Sequence, residues 1–135
     1  MNNPVPIKDA EAWTLKWQTE NPKHAKAFLI PVADLLGCMT EMGLTISKDA
    51  NGNLVADKPD TNVRAYMGVD VNQSEGFGEK LVIVGTVKDG SVHSDIVEGG
   101  SFPKGGGVKL IGSGAYDFTT PCPADCDPKS SLNHN

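Results

Sequence analysis

Three groups of side chains in this 135-residue chain have the types and spacing for chemistry. The first is Cys122-x-x-x-Cys126, set in Thr119-Thr-Pro-Cys-Pro-Ala-Asp-Cys-Asp-Pro128. Two thiols at this spacing can supply half of a zinc tetrahedron, with Cys38 or one of His24, His93 and His134 completing it, or they can join in a disulfide. Structural zinc sites carry two well-spaced ligand pairs, and only one pair is present. The expectation is therefore a free or disulfide-bonded pair with no cofactor, zinc being the alternative. The second group is Arg64, Tyr66 and Asp70, which alternation places on one strand face, where they can line a ligand groove or form an ordinary polar sheet surface. The third is Asp49-Ala-Asn51-Gly-Asn53, with oxygen side chains at the first, third and fifth positions of a calcium loop. Leu54 stands where that loop needs Gly, and Asp60 at its twelfth position is shorter than the bidentate Glu required. A hairpin turn accounts for the same residues.

Other chemistry falls away on spacing. Pro121-Cys122 invites comparison with zinc-dependent nucleobase deaminases, but their P-C-x-x-C and H-x-E pattern is missing. The glycine-rich run from Gly105 to Gly114 has no G-K-[ST] ending and does not join a strand to a helix. Cys38 falls within an apolar helical pattern, predicting an inert buried thiol, His93 reads as a lone strand histidine on the surface or satisfied in the core, and Ser130 and Ser131 have no base beside them.

The elements that must position these groups read as α+β, with two helices packed on a small antiparallel-rich sheet and an extended C-terminal tail. Residues 8–20 form the first helix, with Asp9 and Glu11 in its opening turn and Asn21-Pro22 as its stop. Trp13 and Trp17, one turn apart, are expected to be buried against the sheet. Lys26–Ile30 reads as a strand, and Pro31 opens a second helix whose Val32, Leu35, Leu36, Met39 and Met42 recur at helical spacing before Gly43 ends it. Asn51-Gly52 turns a β-ribbon. Residues 62–70 form a half-buried strand with Val63, Ala65, Met67 and Val69 inward, 81–87 the central strand, and 91–97 its return partner. Seven of the fifteen glycines fall in 98–118, which reads as a loop with one short strand near Val108–Ile111. The organisation expected is one domain over 1–118 and a tail over 119–135, without regular structure because Pro121, Pro123 and Pro128 remove donors.

A formal charge of −5 and a pI near 5.0 argue against nonspecific nucleic-acid or anionic-membrane binding. No segment reaches the apolar length of a spanning helix. The N-terminus lacks a basic start and an apolar run, so the expected location is the cytoplasm.

The order Lys26-Ala-Phe-Leu-Ile30, a following helix, Val63-Arg-Ala-Tyr-Met-Gly-Val-Asp70 and Pro121-Cys-Pro-Ala-Asp-Cys-Asp127 resembles a group of small uncharacterised bacterial proteins with a P-C-P-x-x-C-D tail. The resemblance spans most of the chain and implies the same order of elements, with no activity to carry over. On the residues alone, the function expected is a non-enzymatic module binding a protein partner or small ligand. The alternatives are a metal or thiol-redox protein using Cys122 and Cys126, and a small enzyme whose site assembles only in three dimensions.

Overall fold

Prolines and glycines set the ends of the elements. In a computed structural model of the chain, residues 4–72, 76–97, 101–102, 108–109, 115–116 and 119–134 are described. Pro6 and Pro31, at φ −58° and −59°, stand at the N-caps of α1 (Ile7–Glu20) and α2 (Val32–Glu41), where the missing backbone donor costs little. Asn21 closes α1 by donating both its backbone N–H and its side-chain amide to Trp17 O. Gly43 follows α2 at φ 71°, a left-handed conformation that lets its N–H reach Thr40 O. The strands are β1 (Ala27–Leu29), β2 (Ile46–Lys48), β3 (Leu54–Ala56), β4 (Val63–Val69), β5 (Glu79–Asp89), β6 (Val92–Asp95), β7 (Ser101–Phe102), β8 (Val108–Lys109), β9 (Ala115–Tyr116) and β10 (Thr120–Cys122). Two helices with antiparallel ladders make this an α+β fold.

The chain divides into two units, one from Met1–Leu29, Met67–Leu81 and Thr119–Asn135, the other from Ile30–Tyr66 and Val82–Phe118. The second unit holds the buried core. Cys38 of α2 and Met42 at its C-cap pack with Ile83 of β5 and with Ile96, and Leu35, Val63 and Val87 close around them. Gly85 makes the approach of α2 possible, because a Cβ there would stand 2.6 Å from Met42 Cγ. In this unit β5 pairs antiparallel with β6 through Thr86–Asp89 and with β9 through Ile83 and Val84, and β4 is its other neighbour. The ribbon of β2 and β3 forms as expected, although its turn is wider than a two-residue one. Asp49 N–H donates to Asn53 O, and the Asp49 carboxylate accepts from the Asn51 and Asn53 N–H groups. That carboxylate serves the hairpin, in agreement with the reading against calcium.

The first unit pairs β1 antiparallel with β10, matching Ala27 with Cys122, Phe28 with Pro121 and Leu29 with Thr120. The segment 119–135, expected to lack regular structure, therefore contributes a strand. A two-stranded ladder has only edges, so Pro121 can sit in it without breaking a second partner's bond. Beyond β10 the chain runs through side-chain-capped turns, with Asp127 Oδ1 accepting from Lys129 N–H and Ser130 Oγ from Leu132 N–H.

Both indoles depart from expectation. Trp13 is 61% exposed and Trp17 45% exposed. Spacing put them on one face of α1, but α1 buries Gln18, whose amide donates to Leu132 O and whose carbonyl accepts the His134 N–H. A helix docking against irregular chain must satisfy both backbone C=O and N–H groups, and an amide can donate and accept where an indole can only donate. Trp17 is held at the margin by its Nε1–H donating to Ala25 O at 3.0 Å. The inward face expected for β4 also holds only in part. Val63 joins the core, whereas Met67 and Val69 are exposed.

The expected loop over 98–118 lies mostly outside the described residues. Within it, β8 falls on the short strand expected near Val108–Ile111 and pairs with β7, and β9 joins β5, so two further short strands stand where glycine content predicted loop.

Candidate functional site

In the first unit a cleft of about 280 Å³ opens between α1, β1 and the chain that follows β10. Ala27, Phe28 and Leu29 line one side, and Cys122 and Cys126 line another. The two cysteines are joined in a disulfide with Cα atoms 4.8 Å apart, a separation normal for such a bond. Asp125 N–H donates to Pro121 O, which folds the intervening residues into a turn and brings the thiols together. Four-residue spacing thus yields a disulfide here because the turn, not a helix, sets the distance. Cys38 lies in the other unit, fully buried and free.

Lys26 supplies the cationic group of the cleft. Its ammonium donates to Asn133 Oδ1 at 3.0 Å and His134 O at 2.7 Å, using two of three N–H donors. Among the described residues it makes no ion pair with a carboxylate. Thr14 and Gln18 of α1 form the facing wall, and Thr14 Oγ1 lies 3.0 Å from His134 Nε2. The strand β1 presents Lys26 because Lys26 N–H itself donates to Cys122 O, extending the ladder by one bond. Nothing in the lysine's sequence neighbourhood marked it. The signal available was the Lys23, His24, Lys26 group, which reads as a solvated helix end.

No family model, curated protein or solved structure matches this chain.

The second unit holds the polar strand residues. Arg64 Nη1 donates to Asp95 Oδ1 and to His93 O, and Tyr66 donates its hydroxyl hydrogen to Asp95 Oδ2. Tyr66 and then Asp95 push the Arg64 pKa above its ordinary value, so the guanidinium stays charged. Alternation correctly placed Arg64 and Tyr66 together. Asp70, the third expected member, is engaged elsewhere: its N–H donates to Gly78 O and its Oδ1 accepts from Asn72 N–H. The carboxylate that the pair uses is Asp95, which sequence reasoning missed because β6 reaches β4 only across β5.

On α2, Asp34, Cys38 and Glu41 are all buried, and Tyr116 donates to Glu41 Oε1 at 2.7 Å. Burial, followed by Glu41 and Asp34, pushes the Cys38 thiol up to about 11. It is a protonated, inaccessible thiol at neutral pH, as its place in an apolar helix pattern predicted. Burial and the bond to Glu41 likewise raise the Tyr116 pKa. Among the described residues no group of three or more His, Cys, Asp or Glu is placed to hold a metal, and no helix is long and apolar enough to cross a membrane.

Proposed function

We propose that this chain is a non-enzymatic binding module for a small molecule with an apolar body and an acidic or carbonyl head. Its site is the cleft of the first unit, with Lys26 facing the head and Phe28, Leu29 and Leu132 the body. One observation supports it above the others. A concave, largely apolar space, whose lining also includes Asp125 and Asp127, is combined with a single ammonium that has a donor to spare and makes no ion pair with a carboxylate among the described residues. A flat protein partner would leave this concavity unfilled, which favours the small ligand within the binding reading.

Cys122 and Cys126 act in this proposal as the staple of the cleft wall. A zinc site would require both thiolates, and the disulfide takes both sulfurs. The bond also weighs against the cytoplasm expected from the N-terminus, since reducing compartments keep such pairs as thiols. The module is assigned to an oxidising environment.

The test uses 8-anilinonaphthalene-1-sulfonate, an apolar probe with one anionic group. Saturable fluorescence enhancement is expected from the native protein. Lys26→Met should weaken it at least about tenfold, the scale of one charge-assisted hydrogen bond. Leu132→Trp, which fills the cleft from a part-exposed position, should abolish it. Enhancement equal in both variants and in the native protein would overturn the assignment.

A further inference from the structure

The polar face of the second unit carries a groove with a different chemistry. Arg64 is the cation of its lining, beside Asn62, Thr86 and His93, and no carboxylate lines it. In a chain with formal charge −5, this groove is lined by a guanidinium and an imidazole. The acid that neutralises Arg64, Asp95, lies outside that lining and bonds to Nη1.

The groups in the groove are held in place before any ligand arrives. Nη1 is occupied by Asp95 and His93 O, which orients the guanidinium plane, and Tyr66 holds the second oxygen of Asp95. Thr86 is buried, and its hydroxyl donates to Asn62 O at 2.6 Å, fixing the backbone at Asn62. The Asn62 amide nitrogen then stands 3.3 Å from His93 Nε2. Lys88 is the register partner of His93 on the β5–β6 ladder, which places the two side chains on one face of the sheet. Two of the five guanidinium N–H donors are used by Nη1, and Tyr66 also hydrogen-bonds the guanidinium, so its remaining donors are those that Asp95, His93 O and Tyr66 leave.

We propose that this groove is a binding site for an oxyanion, a carboxylate or phosphate group of a small molecule. The anion takes the guanidinium donors that Asp95, His93 O and Tyr66 leave, and is flanked by the Asn62 amide and the His93 ring. A planar, fixed fork of donors suits both groups, and Arg is favoured over Lys wherever such geometry is read. The Asp95 contact is what makes the fork rigid. It also neutralises the guanidinium charge, so selectivity rests on the shape of the donor set and not on attraction at a distance.

The site is tested by titrating the full chain separately with sodium phosphate and sodium citrate, at ionic strength held constant with sodium chloride. The Arg64 side-chain and His93 ring NMR resonances are followed. Saturable shifts confined to Arg64, Asn62, His93 and Lys88 are expected, and the tighter anion names the ligand class as phosphate or carboxylate. Arg64→Lys keeps the charge but loses the fork and should bind at least about tenfold more weakly. Asn62→Ala and His93→Gln change surface side chains, leave the core intact and should each weaken binding several-fold. If Arg64→Lys does not fold, those two carry the decision. Equal affinity in the variants, shifts spread over every Lys and His, or no saturation with either anion would overturn the proposal.

Discussion

Tyr116 of β9 reaches Glu41 of α2 and donates its hydroxyl hydrogen to Oε1 at 2.7 Å, passing over Gly37, where a Cβ would stand 2.7 Å from the Tyr116 oxygen. Glu41 is 7% exposed, and its Oε2 has no partner among the described residues. Removing this hydrogen bond leaves the buried carboxylate more poorly satisfied. Tyr116→Phe is expected to lower unfolding free energy by about 1–3 kcal/mol, measured by urea denaturation, with the far-UV spectrum unchanged. No loss of midpoint would mean that the hydroxyl contributes nothing.

A side chain at Gly85 tests how closely α2 sits on β5. An added Cβ would meet Met42 Cγ at 2.6 Å, Met42 Sδ at 3.0 Å and Cys38 O at 3.2 Å. Methionine can move aside, but the Cys38 carbonyl cannot. Gly85→Ala should therefore cost about 1–3 kcal/mol, only part of it recovered in combination with Met42→Ala. A double-mutant cycle reads the recovered part directly.

Cys38 makes stability fall with alkaline pH. Its folded-state pKa of about 11 lies above the ordinary 9.0, so the folded protein holds the proton more tightly than the unfolded chain. The stabilisation is complete below about pH 9 and is lost as pH rises through 11. The loss should be on the order of 2 kcal/mol across that window. Cys38→Ala is expected to be less stable at neutral pH but to show a shallower fall. Unfolding free energies from pH 8 upward in both proteins, with about half-unit steps, check the difference in slope.

Gln18 ties α1 to the C-terminal chain through Leu132 O and His134 N–H. Gln18→Leu keeps the volume and removes both bonds, leaving two backbone groups unpaired. A cost of about 2–4 kcal/mol is expected, with faster amide exchange concentrated at 130–134. Exchange unchanged in those residues would separate the tail from α1.

The disulfide predicts a thiol count. Without reductant, the unfolded protein should react with one equivalent of a thiol reagent, from Cys38, and after reduction with three. Replacing both Cys122 and Cys126 with Ser should lower stability by about 2 kcal/mol, the chain-entropy value for so short a loop.

The elements themselves were legible because their signals are local. Pro31 and Gly43 bracket α2, whose apolar series places Met42 and Leu35 at the core but leaves Val32 and Leu36 exposed, and uninterrupted apolar residues from Leu81 to Val84 mark the central strand. Each signal depends on backbone stereochemistry or a periodic face within a few residues. The Arg64 and Tyr66 pairing was legible for the same reason, since both belong to one strand.

Three features were decided only in the folded chain. Which face of α1 is buried depended on its partner, irregular chain with bare backbone groups, so Gln18 went inward and Trp13 outward. Asp95, not Asp70, meets Arg64 because the bond crosses from β4 to β6, a relation carried by strand order and not by distance along the sequence. Pro121 entered a strand because the ladder of β1 and β10 has no third member to require its missing N–H. Local sequence specifies what a segment can present; the partner it meets determines which polar groups must be satisfied, and therefore which side chains are buried.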